Sequence, residues 1–184
     1  MANQPHQNRN APRNIAIGGV TSALALVILL LGGYVPVGTY VAPILAGLCL
    51  MPIAMDIGRR TALVAWAAVS ILSFLLVPDI ELVLFFILLF GYYPVLYPQL
   101  NKIKNRVLRY AVKFLLFNAV VAVVYVLLFF VFSSPQLLED IATSATLFWV
   151  SLIVVGNIIF LLYDFLIDKV RIIYIHRIRR YIFK

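Results

Sequence analysis

Charge is scarce in this sequence. Of its 184 residues 12% are charged and 64% are hydrophobic. A soluble globular domain is roughly 45–50% apolar and about 25% charged. A compact soluble fold of this size could not hide that much apolar surface, so lipid must solvate much of it. Cysteine is nearly missing: Cys49 stands alone, which excludes an intrachain disulfide. There are two histidines, His6 in a polar tail and His176 in a basic one. Neither has a second ligand at metal spacing, so no metal and no cofactor is expected. The sequence holds no phosphate loop, no Gly-rich dinucleotide fingerprint and no GxSxG elbow. No Ser/His/Asp or Cys/His set falls at membrane depth. Ionisable groups near the bilayer midplane, which ion-coupled transporters usually need, are lacking too. These absences argue against an intramembrane enzyme and against a self-sufficient secondary transporter. Any active transport would need energy from another subunit.

What the chain has in abundance is long apolar runs. A helix needs about 20 apolar residues to cross the hydrocarbon core. Six runs qualify, over residues 15–35, 37–57, 61–77, 80–100, 107–132 and 145–170. The predicted fold class is an all-α membrane protein with six transmembrane helices. Residues 1–14, rich in Asn and Gln, read as a disordered polar tail rather than a signal peptide. Residues 15–170 read as one six-helix transmembrane domain. Residues 171–184 read as a basic, amphipathic C-terminal tail. Its isoleucines fall largely on one helical side, which suits a tail lying along the inner leaflet. A sixth helix that simply continues into the cytoplasm fits the same residues.

The fifteen cations and seven acids are distributed unevenly between the connections. Residues 33–40 carry no Lys or Arg. Residues 56–61 carry Arg59 and Arg60. Residues 77–81 carry only Asp79 and Glu81. Residues 101–109 carry Lys102, Lys104, Arg106 and Arg109. Residues 133–143 carry only Glu139 and Asp140. Both tails are basic. Every cation except Lys113 thus falls on one side of a six-span arrangement. Cytoplasmic loops collect Lys and Arg, so the pattern predicts a cell-membrane protein with both termini cytoplasmic. The charge of +8 is therefore read as topology charge, with the lipid bilayer and not nucleic acid as the partner.

Polar residues inside the spans are few. Asn118 and Asn157 lie near the middles of spans five and six, at similar depth. They fit an interhelical clasp or, alternatively, a ligand contact at Asn157. Lys113 and Asp164 differ in depth by only about 3 Å at the helical rise of about 1.5 Å per residue. They are predicted to pair if spans five and six touch, unless Lys113 snorkels to the interface alone. The run Gly91-Tyr92-Tyr93-Pro94 predicts a kink in span four.

Tyr34, Tyr40, Tyr125 and Trp149 fall at or near the cation-free ends. They fit an interfacial aromatic belt or an aromatic pocket for a flat small molecule. Residues 32–40 suit a lid. Helix one is lined by Gly18, Gly19, Ser22, Ala23 and Ala25. Gly19 and Ala23, like Gly18 and Ser22, have the spacing that lets another helix approach closely.

In its six helices, cytoplasmic ends and small-residue first helix, the chain resembles the substrate-binding S component of energy-coupling factor transporters. The resemblance covers residues 15–170 in architecture. It implies a membrane subunit for uptake of a vitamin or similar micronutrient, energised by separate ATPase subunits. It further implies partner docking through Gly19, Ser22 and Ala23 onto a transmembrane coupling subunit that carries two cytoplasmic ATPases. The ligand would meet Tyr34, Tyr40, Tyr125 and Trp149 in the outward half. The alternative is a multi-pass membrane protein that transports nothing and acts as a structural or assembly partner.

Overall fold

Glycine and proline set where these apolar runs break. The computed structural model of the protein describes residues 11–131 and 135–178, with side chains over 12–131, 150 and 153–176. Helix α1 is Ala11–Gly32. Helix α2, Gly38–Pro52, runs on into a π-helical turn over Ile53–Ile57. That turn closes on Gly58, whose N–H bonds the Ile53 carbonyl at 2.9 Å. Gly58 has φ of 132°, so a residue with a Cβ would be strained there. It joins α2 directly to α3, Arg59–Leu76. Helix α4, Ile80–Phe85, is capped by the Asp79 carboxylate, which accepts from the Leu82 N–H at 3.1 Å. It continues through a second π-helical turn, Phe86–Phe90, and breaks before α5, Tyr93–Leu100. Helix α6, Arg106–Phe130, is capped by Asn105. Helix α7 is Pro135–Ile173, followed by a π-helical turn over Tyr174–Ile178. Among the described residues there is no strand.

Among the described residues five stretches are long and apolar enough to cross a membrane: Pro12–Gly32, Gly38–Ile57, Arg59–Leu76, Ile80–Leu100 and Arg106–Phe130. Span four, formed by α4 and α5, is the hub. In it 67% is buried, against 11% to 39% in the others. A helix apolar all round belongs at the centre of a bundle. One face, with Leu82, Val83, Phe86 and Val95, packs against α1, α2 and α3. The other, with Phe85, Leu89, Phe90, Tyr93 and Tyr97, packs against α6 and α7.

Three expected boundaries move. Helix α1 starts at Ala11, so residues 11–14 belong to the helix and not to a tail; residues 1–10 lie outside the described region. Helix α7 starts at Pro135, in what read as a loop over 133–143. Proline suits a first helical position, and Gln-Leu-Leu-Glu after it are good helix formers. Helix α7 also passes through Arg171, and the helical path holds to Ile178. Residues 171–178 are thus a continuation of helix rather than a separate interfacial tail. The sequence after Gly156 contains no glycine or proline to stop it. The Tyr174 hydroxyl donates to the Asp56 carboxylate, tying the end of α7 to the end of α2. Residues 179–184 lie outside the described region.

Candidate functional site

The break in span four generates a buried polar centre. Pro94 has no N–H, so the Phe90 carbonyl four residues earlier loses its helical donor. The Tyr163 hydroxyl on α7 supplies the replacement, donating to Phe90 O at 3.0 Å. Helix α2 closes over the same carbonyl. A Cβ on Gly47 would lie 2.1 Å from Phe90 O, so this approach requires glycine. Tyr93, just past the break, donates from its hydroxyl to Asp164 Oδ1 at 2.7 Å.

Asp164 is where the centre becomes ionic. Lys113 Nζ donates to Asp164 Oδ1 at 2.7 Å and to Oδ2 at 2.8 Å. The two residues are 2% and 7% exposed, so this pair is shielded from both water and lipid. The ammonium also stands 4.5 Å from the centre of the Tyr97 ring, a favourable place for a cation. One carboxylate thus joins α5, α6 and α7. Its charge is balanced and its oxygens are occupied. The arrangement holds three helices together.

At the cation-free ends a second constellation forms. Glu81 accepts from the Tyr40 hydroxyl at 3.1 Å and from the Tyr125 hydroxyl at 2.9 Å. Phe85 packs edge-on to both rings, with centroids 5.7 Å and 6.3 Å away. Asp79 accepts from the Thr39 hydroxyl at 2.6 Å while capping α4. Tyr40 and Tyr125 therefore converge. Tyr34 does not join them in the interior: it is 75% exposed on the turn between α1 and α2. That turn is closely packed, since a Cβ on Gly38 would lie 2.1 Å from the Gly32 carbonyl oxygen. The glycines that suited a mobile lid are needed for that approach. The Trp149 side chain lies outside the described region.

Asn157 belongs to neither centre. It and Asn118 form a reciprocal amide pair, Nδ2 to Oδ1 at 3.0 Å one way and 3.2 Å the other. Each amide also donates to the carbonyl one turn back in its own helix, Phe114 O at 2.8 Å and Ile153 O at 2.7 Å. Asn118 is exposed and Asn157 half-buried. On α1, Gly19 and Ala23 face outward, Gly18 and Ser22 sit at the margin, and Ala25 is buried. A Cβ on Gly18 or Gly19 would meet nothing within 4 Å. A cavity of about 330 Å³ opens between α3, the π-helical turn and break of span four, and α6, lined by Trp66, Ile87, Tyr92, Val120 and Val123 among other groups.

Sequence reasoning missed Glu81, Tyr93, Tyr163 and Gly47. Glu81 carried a signal, as an acid at the start of an otherwise apolar run. Tyr163 carried none, because its role depends on which helix faces Pro94. Among the described residues no three His, Cys, Asp or Glu side chains gather as a metal site. The helices and their buried polar braces define a multi-pass, all-helical membrane protein. Comparison with known protein families, with curated proteins and with solved structures finds no match to this chain.

Proposed function

We propose that the chain crosses the cell membrane six times, with α7 as the sixth span and both termini in the cytoplasm. The fifteen cations support this, since all but Lys113 fall on one side of such an arrangement. Within that topology the chain acts as the substrate-binding subunit of a micronutrient uptake system energised by separate ATPase subunits. The observation that carries this reading is the convergence of Tyr40 and Tyr125 on Glu81 at the cation-free end. A carboxylate flanked by phenols and Phe85 is suited to a flat ligand bearing a cationic or amine group. The outward small-residue face of α1 supports a docking role for Gly19 and Ala23 with a coupling subunit.

A second reading has its own support. Both phenol hydroxyls are already engaged by Glu81, and the cavity between α3, the break of span four and α6 opens elsewhere. This favours a structural or assembly partner that transports nothing. Native mass spectrometry of the gently purified protein separates the two. The uptake reading expects a bound small molecule that is lost in Glu81→Gln, together with coupling and ATPase subunits. A ligand-free chain without ATPases, whose deletion alters no micronutrient uptake, sinks it.

A further inference from the structure

A cavity that opens at the surface of a membrane span opens to lipid. The one between α3, the break of span four and α6 holds about 330 Å³. Two of its lining residues on α6, Ala119 and Val123, are also exposed on the outer surface. Its inner wall includes Trp66 on α3 and Tyr92 at the break, whose rings meet edge-on with centroids 5.7 Å apart. Gly91 lets the indole seat there, since a Cβ on it would lie 2.5 Å from Trp66 Cδ1. Water is a poor filling for such walls, and a hydrocarbon chain a good one.

The same seam carries positive charge at its end. Arg59 precedes Trp66 by seven residues on α3, two turns of about 3.6 residues, so both lie on one helical face about 10 Å apart along the axis. Gln99 follows Tyr92 by the same seven residues along α5. The two ends meet as Trp66 and Tyr92 do. With its amide oxygen turned toward α3, Gln99 accepts from Arg59 Nε at 3.2 Å and from Nη2 at 3.0 Å. A neutral amide leaves the guanidinium its full charge, and among the described residues no carboxylate pairs with it. Lys102 lies at the same end: its N–H bonds the Gln99 carbonyl at 3.0 Å, and it is exposed. Asp56, the nearest acid along the chain, accepts from Tyr174 on α7.

The hydrocarbon of one leaflet is about 15 Å deep, half of the full core of about 30 Å. An apolar cavity about 10 Å below two cations therefore matches the two parts of one molecule, a chain in the cavity and a phosphate at its mouth. The planar fork of arginine suits phosphate oxygens. We propose that this seam is a binding site for an anionic phospholipid of the leaflet on the cationic side. One acyl chain enters the cavity beside Trp66, and the phosphate meets Arg59 and Lys102. The site lies at the opposite end from Glu81 and is independent of the uptake reading.

Trp66 and Trp149 are the two tryptophans, so Trp149→Phe in the full chain makes Trp66 fluorescence the reporter. The protein is reconstituted into phosphatidylcholine vesicles in which a minor fraction of the lipid is brominated at mid-chain. That fraction is phosphatidylglycerol in one set and phosphatidylcholine in the other. Bromine quenches indole only near contact. Quenching by the brominated phosphatidylglycerol is expected to be at least threefold stronger. Arg59→Gln with Lys102→Gln should remove that preference. These cations lie at the exposed end, so the packed core is left intact. Lys169→Gln with Arg171→Gln, which takes the same charge from α7, should preserve it. Val120→Phe, which fills the cavity from α6, should at least halve quenching by the anionic lipid. Equal quenching by the two lipids in the Trp149→Phe chain overturns the proposal. So does a preference that survives Arg59→Gln with Lys102→Gln, one lost equally with the α7 cations, or quenching unchanged by Val120→Phe.

Discussion

A charge held in hydrocarbon is tolerated only while its partner is in place, which makes Lys113 and Asp164 inseparable. Removing one member of a buried pair leaves an uncompensated charge and typically costs about 3–5 kcal/mol. Replacing both by apolar groups of similar volume is often close to neutral. Asp164→Asn or Lys113→Met should therefore lower the apparent Tm of the detergent-solubilised protein strongly. Lys113→Met with Asp164→Leu should recover most of that loss. Thermal unfolding followed by size-exclusion chromatography reads this directly, and a double variant as unstable as the sum of the singles would show the pair to be uncoupled. Tyr93→Phe should cost less than either charge removal. It takes away one hydrogen bond to a charged group, on the order of 1.5–3 kcal/mol, and leaves the ion pair closed at 2.7 Å.

A helix broken at its centre needs its freed backbone groups satisfied by its neighbours. Span four meets this need with Tyr163, whose hydroxyl takes the place of the N–H that Pro94 lacks. Pro94→Ala offers Phe90 O a donor from within the helix. Tyr163→Phe should then cost about 1 kcal/mol in the native sequence and much less beside Pro94→Ala. A double-mutant cycle on Tm or urea stability measures that coupling. Gly47→Ala should destabilise by about 1–3 kcal/mol, because its Cβ would press first on the Phe90 backbone carbonyl, which cannot swing aside, and also on the Tyr163 hydroxyl. Much of this element was legible beforehand. Gly91 and Pro94 announce the break, and helical rise alone puts Lys113 level with Asp164 and Asn118 level with Asn157. The bracing was not legible. In a membrane, apolar side chains suit the lipid as well as the core, so hydropathy fixes a span but not its rotation. Nothing in the pattern shows that Tyr163 faces Phe90, that Tyr40 and Tyr125 meet at Glu81, or that α7 runs 39 residues.

At the scale of the whole molecule, the placement of cations and the open face of α1 make separate predictions. In a Cys49→Ala background, Tyr34→Cys should react with an impermeant maleimide on intact cells, and Lys104→Cys only after permeabilisation. The reverse pattern would invert the topology. Docking through α1 is testable because folding and association should respond with opposite signs. Gly19 lies mid-helix, where glycine is about 0.8–1 kcal/mol less favourable than a good helix former. Its Cβ position is empty out to 4 Å, so internal packing does not demand the missing side chain. Ala23 points the same way and is exposed. Gly19→Leu with Ala23→Leu should therefore leave Tm unchanged or slightly raised. It should also reduce co-purification of any partner subunit at least tenfold, since a close helix approach cannot admit two leucines. If stability falls instead, the small residues serve the chain's own fold. If stability and co-purification both hold, α1 faces only lipid and the docking role proposed for it fails.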